Sequence, residues 1–305
     1  MNNLPKISII TPSYQQGIYI EDTIVSVISQ NYPNLEYIII DGGSTDQTLD
    51  IIKKYEEHIT YWVSEADQGQ AHALNKGLNV ATGEIIAYIN SDDYYAPNTF
   101  HRIAKYFTEY PETDLLYGIC TFVDEKKQLI SEHQGGISNA SELFNIWEYW
   151  WSGKQIIQPE TFWSRQIFEK VGMFNEDLYF VMDYEYWCRL ISAGAIIKSI
   201  DETIACFRVT PTQKTNDKNG VRDEILDVLK KFLWSELPLD NKWTLQGNWL
   251  YQVILTPKID EYVQSGDSVF LRWLKTALLI IRYPKLFFSS FLKKRIFYNV
   301  LSKDI

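Results

Sequence analysis

Four short apolar runs in the first third of the chain constrain its fold most: residues 6–11 (KISIIT), 36–41 (EYIIID), 60–64 (TYWVS) and 84–89 (EIIAYI). Between them lie segments of helical periodicity. Residues 21–30 place Ile24, Val27 and Ile28 on one face, with Glu21 and Asp22 in the first turn, where the helix dipole favours acids. Ser44 and Gln47 have the spacing of a capping box for a helix reaching about residue 57, and residues 71–81 form a third helix stopped by Gly83. Short buried strands separated by helices predict a mostly parallel sheet flanked by helices on both faces. Ligands of such sheets sit outside the carboxyl ends of the strands.

Polar residues cluster at those ends: Thr11-Pro12-Ser13-Tyr14, Asp41-Gly42-Gly43-Ser44 and Asn90-Ser91-Asp92-Asp93. Adjacent carboxylates at the mouth of a buried strand are costly, because each loses hydration and repels the other. A divalent cation shared with a diphosphate would relieve that cost, and Mg²⁺ and Mn²⁺ prefer such hard oxygen ligands. An Asx turn capping the strand is the competing reading.

Beyond residue 94 a helix is expected over 100–110, a strand over 115–124, a turn at Gly135-Gly136, a helix carrying Asp183, Glu185 and Arg189 within 176–194, and a strand over 196–200. Residues 210–220 (TPTQKTNDKNG) read as a polar lid or linker, and the chain after them as helical. The formal net charge of −10 is unevenly spread: from Ser268 onward eight basic residues face Asp304 alone, a net +7 that leaves −17 on the rest. An acidic body argues against nucleic acid, while a basic tail asks for an anionic partner. Cys120, Cys188 and Cys206 show no metal-ligand spacing and read as reduced thiols of a cytosolic protein. No apolar leader core is seen at the start, and no uncharged apolar stretch reaches the ~18 residues of a spanning helix.

The series Ile9-Ile10-Thr11-Pro12-Ser13-Tyr14, Asp41-Gly42-Gly43-Ser44-Thr45-Asp46, Asn75-Lys76-Gly77, Ala81-Thr82-Gly83-Glu84 and Ser91-Asp92-Asp93 resembles family 2 glycosyltransferases with the Rossmann-like GT-A fold. The likeness resumes at 158–162, 169–174 and 182–190. It implies a catalytic domain over 1–220, with a nucleotide-sugar half to about 100 and an acceptor half over about 101–210. A basic, amphipathic helical extension over 221–305 follows. It also implies an inverting, metal-dependent transferase using a nucleotide sugar, usually UDP-linked. Asp41 is expected to contact the base, with Thr11, Pro12, Tyr14 and Asn75 also toward the nucleotide or donor sugar. Asp93 is expected to bind Mg²⁺ or Mn²⁺, and Asp92 to face the ribose or a metal-bound water. The general base falls at Asp183, which can take the proton of an attacking hydroxyl. Glu185, the rival base, points elsewhere if the segment is helical. Arg189 is expected to pair with a carboxylate.

Two departures from the pattern stand out. Met182 replaces the acid that often precedes the base, and Thr210 stands where many relatives carry a histidine for metal or diphosphate. Either Lys214, Thr212 or Thr215 reaches the diphosphate instead, or the protein dispenses with that contact. Gln158-Pro159 and the cluster 147–151 (WEYWW) are expected toward the acceptor, the tryptophans serving a sugar face, or else a core or a membrane contact. The acceptor expected is a glycan or a polyprenyl-diphosphate-linked glycan of bacterial surface-polysaccharide synthesis. The tail interleaves Phe270, Trp273, Leu274, Phe287 and Phe291 with basic residues, the profile of interfacial helices on an anionic membrane, against packing on protein as the alternative. The expected location is the cytoplasm, peripheral on the inner face of the plasma membrane. The rival functions are a non-catalytic, degenerate transferase binding glycan or lipid, and a nucleotidyltransferase, disfavoured because no Gly-rich, Arg- and Lys-bearing phosphate loop follows the first strand of this chain.

Overall fold

The computed structural model describes residues 4–301; Met1 at the amino end and Lys303 and Asp304 of the tail lie outside the described residues. The chain divides into two compact units, Met1–Val221 and Arg222–Ile305.

The first unit is built on a sheet of β1 (Ile7–Ser13), β2 (Leu35–Asp41), β3 (Tyr61–Ser64), β4 (Ile85–Tyr88), β5 (Tyr94–Tyr95), β6 (Leu115–Val123), β7 (Leu129–Gln134), β8 (Thr161–Ser164) and β9 (Ile197–Arg208). Their order is β3-β2-β1-β4-β8-β6-β9-β5, with β7 beside β6. Helices α1 (Ile20–Ile28), α2 (Thr48–Lys54), α3 (Gln70–Val80), α4 (Thr99–Glu109), α5 (Ala140–Phe144), α6 (Arg165–Val171) and α7 (Met182–Ser192) complete the unit. The sheet is parallel from β3 through β4, with helical crossovers of the length parallel pairing needs. Beyond β4 it becomes mixed, because β8 enters antiparallel to both β4 and β6.

Both faces of the parallel half are buried. Ile7, Ile9, Tyr37 and Ile39 pack with Ile20, Ile24 and Val27 of α1, while Ile10, Ile38 and Ile86 are buried on the other face. There α3 lies directly on β1: a Cβ on Gly77 would sit 2.5 Å from Cγ2 of Ile10. At the amino ends Glu36 acts as a bolt. Lys6 Nζ (2.6 Å) and the Thr82 hydroxyl (2.6 Å) donate to one carboxylate oxygen, and the Ser8 hydroxyl (2.5 Å) and Thr82 N–H (2.6 Å) to the other. β2 and β4 lie on opposite sides of β1, so the strand order switches there, and ligands of such sheets sit outside the carboxyl ends at that switch.

Three local expectations are corrected. The Ser44–Gln47 capping box does not form; Ser44 serves Asp41 and Gln15, and Asp46 Oδ1 instead accepts Thr48 N–H (3.0 Å) at the start of α2. The strand expected over 196–200 runs on to Arg208, since pairing with β6 carries it past Asp201 and Glu202. Residues 210–220 are not wholly loop: Lys214–Asn216 is a 3₁₀ turn and a helix starts at Lys218.

The second unit contains most of α8 (Lys218–Leu233), then α9 (Lys242–Leu250), which passes through a π turn, Tyr251–Leu255, into α10 (Thr256–Gln264). After α11 (Val269–Arg282) and a 3₁₀ turn, Pro284–Phe288, it ends in α12 (Ser290–Leu301). Gly247 lets α9 approach that turn, where a Cβ would meet the Lys285 carbonyl at 2.6 Å. Asn248 Oδ1 accepts from Ser289 Oγ and from Ser290 N–H and Oγ. Among the described residues no helix is long and apolar enough to cross a membrane.

Candidate active site

The three polar clusters stand at the carboxyl ends of β1, β2 and β4. Asp41, the last residue of β2, is fully buried and its carboxylate is heavily engaged within the fold. Oδ2 accepts from Gly43 N–H (3.1 Å), Ser44 N–H (2.8 Å) and the Ser64 hydroxyl (2.6 Å), and Oδ1 accepts from the Ser44 hydroxyl (2.6 Å). The loop after it is stapled to the β1 end, where Gln15 Oε1 accepts Thr45 and Asp46 N–H. Gly42 is where three pieces converge: a Cβ there would stand 2.7 Å from Asp67 Oδ2 and 3.3 Å from the Tyr14 ring. Tyr14 is 62% exposed and offers a ring face at the mouth. Thr11 is fully buried, its hydroxyl 3.2 Å from the Tyr37 hydroxyl, so its side chain is internal to the sheet; Pro12 is buried beside it.

Asn75 also faces its own chain. Its amide donates to the Phe174 carbonyl (3.0 Å) and Glu176 Oε1 (2.7 Å) and accepts Phe174 N–H (2.8 Å). That pairing fixes the 174–176 loop, which leads toward α7. His72 Nδ1 accepts Gln68 N–H (3.0 Å), a turn-closing role.

The acidic turn follows β4. Asp93 is 1% exposed; Oδ1 accepts Arg208 N–H (2.8 Å), whereas Oδ2 is buried with no hydrogen-bond partner. Burial, then the adjacent Asp92 charge, pushes the Asp93 carboxyl well above the usual range, and burial likewise raises Asp92. An orphaned buried carboxylate oxygen beside a second carboxylate is a poor resting arrangement without a cation. These oxygens suit Mg²⁺ or Mn²⁺. Among the described residues no three His, Cys, Asp or Glu side chains group into a ready-made cage.

Arg208, at the end of β9, organises this turn and escaped the sequence reading. Its Nε donates to the Asp92 carbonyl (2.9 Å) and Nη2 to Asp22 Oδ2 (2.8 Å), with the guanidinium 4.9 Å from the Tyr19 ring centroid and 5.5 Å from that of Tyr94. A lone arginine at the end of the apolar run 204–207 (IACF) was the available signal, because buried arginines are paired. Gln70 at the start of α3 donates to Asn90 Oδ1 (2.6 Å), and Lys214 Nζ lies 3.5 Å from Gln70 Oε1 and 4.4 Å from the Tyr179 ring centroid. Gln158 closes the floor by donating to the Tyr88 carbonyl (2.6 Å).

Asp183 lies in the first turn of α7, half-buried, with Oδ1 accepting Tyr184 N–H (2.7 Å). Tyr88 links it to the acidic turn: burial raises the Tyr88 hydroxyl well above its ordinary value, and the charges of Asp183 and Asp93 push it further. Glu185 is buried and paired, both its oxygens 3.0 Å from Arg189 Nε, while Arg189 also donates to the Val171 and Met173 carbonyls. In the aromatic cluster Trp150 packs on Tyr184 and Trp187 of α7, and Trp151 is 44% exposed.

The chain is similar to known proteins. The glycosyltransferase TuaG of Bacillus subtilis (strain 168), provisionally assigned to teichuronic acid biosynthesis, is 40% identical over 110 residues, 34% of this chain and 43% of that protein. Among solved structures, S. aureus TarS 1-349 in complex with UDP-GlcNAc superposes with a TM-score of 0.63 at 16% identity, covering 89% of this chain and 79% of that one. The mannosyltransferase PcManGT from Pyrobaculum calidifontis, in complex with GDP-Man and Mn²⁺, gives a TM-score of 0.62 at 18% identity over 99% and 89% of the two chains. These likenesses agree with the GT-A architecture of the sheet. The family model described as glycosyl transferase family 2 matches residues 8–172, more than half of the chain, and the protein belongs to that family.

Proposed function

We propose that this glycosyltransferase moves a sugar from a UDP-linked donor to a hydroxyl of a surface glycan or its polyprenyl-diphosphate-linked precursor, with inversion, on the cytoplasmic side of the membrane. Residues 1–220 carry the catalysis and 221–305 form its helical extension. The observation that carries the reading is the buried, partnerless Asp93 Oδ2 in the turn after β4, with Asp92 beside it. A UDP donor is supported by the uridine-sugar complex of one structural neighbour, and a surface-glycan product by the provisional assignment of TuaG.

In this mechanism the diphosphate lies across the carboxyl ends of β1 and β4, and the base against Tyr14 and Asp67. Asp93 would hold Mg²⁺ or Mn²⁺, with Asp92 toward the ribose or a bound water. The ion, when bound, neutralises charge gathering on the leaving diphosphate. Lys214, drawn toward Gln70 and Asn90, adds a positive charge from the 210–220 segment. Asp183 accepts the acceptor's proton as its oxygen attacks the anomeric carbon and the bond to the diphosphate oxygen breaks. One displacement inverts the centre. Glu185, the rival base, is held by Arg189. Trp151 supplies an exposed ring face for an acceptor sugar.

The test is release of nucleotide and sugar from a panel of UDP-, GDP- and dTDP-sugars, with Mn²⁺ or with EDTA. Metal-dependent turnover of a UDP-sugar supports the proposal. Exclusive turnover of another nucleotide sugar overturns the donor, and absence of binding to every nucleotide sugar favours a non-catalytic, glycan- or lipid-binding role.

A further inference from the structure

Helix α11 is turned the wrong way round for a water-soluble surface. Its apolar positions Phe270, Trp273, Leu274, Leu278 and Ile281 fall at helical spacing on one side and are 77, 55, 47, 57 and 72% exposed. The other side, with Arg272, Lys275, Thr276 and Leu279, is the half-buried one. Lys275 there donates to Asp267 Oδ2 (2.7 Å) and lies over the Tyr262 ring of α10. The fold thus buries the more polar side of the helix and presents the apolar one. The outward stripe runs roughly 16 Å along the helix axis, and Phe287, in the turn that follows, is exposed as well. Contiguous exposed apolar surface of this kind marks an interaction site.

Charge decides what covers it. From Ser268 to Arg295 there is no acidic residue, against Arg272, Lys275, Arg282, Lys285, Lys293, Lys294 and Arg295. A second copy laid face to face would bring two such cationic segments together, which is unfavourable, whereas an anionic leaflet complements them. Helix α11, at 14 residues, is about 21 Å long and falls short of the ~30 Å hydrocarbon core, so it suits the plane of the interface. We propose that the α11 stripe embeds in the interfacial region of an anionic bilayer, with Phe270, Trp273 and Ile281 as the penetrating side chains and Arg282, Lys294 and Arg295 at the headgroups.

The proposal goes beyond the transferase reading and is tested without any sugar donor, so either can fail alone. The full chain is sedimented with vesicles of phosphatidylcholine, and of phosphatidylcholine mixed with phosphatidylglycerol, at low and high salt. Two variants accompany it: Phe270→Ser with Trp273→Ser and Ile281→Ser, and Arg282→Glu with Lys294→Glu. The expected result is binding to the anionic vesicles that salt weakens, reduced about tenfold or more by either variant, with an unchanged melting temperature because these side chains are exposed. Light scattering without vesicles is expected to give no dimer that the serine variant dissociates. Failure of the full chain to bind anionic vesicles, equal binding to neutral ones, undiminished binding of the serine variant, or such a dimer each overturns the proposal.

Discussion

Replacing Arg208 by methionine tests whether this arginine shapes the acidic turn. The side chain is 3% exposed, so what it loses is lost in a nearly dry setting. Its charged hydrogen bond to the Asp92 carbonyl contributes about 1.5–3 kcal/mol. The ion pair with Asp22 contributes about 1 kcal/mol, because Asp22 is a third exposed and keeps Lys127 at 2.6 Å. Stacking between Tyr19 and Tyr94 adds about 0.5–1 kcal/mol per ring, partly retained by a methionine packed there. The sum, about 3–5 kcal/mol, agrees with the cost of breaking other buried ionic groups and is survivable for a domain of ordinary stability. Urea unfolding reads this loss as a lower midpoint with an unchanged slope. The Arg208 N–H that holds Asp93 Oδ1 survives the substitution, but the Asp92 carbonyl is released. Calorimetric titration is therefore expected to show UDP affinity in Mn²⁺ falling about tenfold, or 1.4 kcal/mol, with affinity in EDTA little changed. Arg208→Lys, which keeps the charge without the planar fork, should fall between. A loss below about 1 kcal/mol with undisturbed Mn²⁺-dependent affinity would refute this role.

Three further outcomes follow from the geometry. Burial alone would raise the Glu36 carboxyl, but hydrogen bonds from Lys6, Ser8 and Thr82 hold it down to about 2. A depressed folded-state value gives stability that is present above the ordinary glutamate range and lost as pH falls toward about 2; Glu36→Gln should cost about 2–3 kcal/mol at neutral pH, measured by urea unfolding, with nucleotide affinity unchanged. Asn75→Ala should cost about 2 kcal/mol by releasing the 174–176 loop, and calorimetry should show nucleotide affinity altered less than about twofold if that loop is its main partner. Glu185→Gln strips Arg189 of its charge partner, so unfolding midpoints should drop while the pH dependence of transfer stays that of the wild type.

How far the sequence could be read depended on how local each feature is. The β-branched runs at β1, β2 and β4 and the acidic tetrad after β4 declare themselves within a few residues, so the parallel half and the position of the candidate site were legible. Strand β7 was not, because its residues 129–134 (LISEHQ) are largely exposed and paired only with β6. Ser44 was misread as a cap because its true partners, Asp41 and the Gln15 N–H, depend on how the β1 and β2 ends are brought together. The same holds for Ser64, which reaches Asp41 from a neighbouring strand, and for Asn75, whose partners lie about a hundred residues away. Arg208 combines both limits: its identity was visible, but its role rests on Asp22, Asp92 and two tyrosines drawn from distant segments.

The division of labour between two carboxylates is the central claim, and a paired measurement of binding and transfer on Asp93→Ala and Asp183→Asn tests it most directly. Mn²⁺-dependent UDP affinity should collapse in Asp93→Ala and stay at the wild-type level in Asp183→Asn. Single-turnover transfer from the bound donor should fall by about 10²–10⁴ in Asp183→Asn. Transfer undiminished in Asp183→Asn, or metal-dependent affinity retained in Asp93→Ala, would contradict the account.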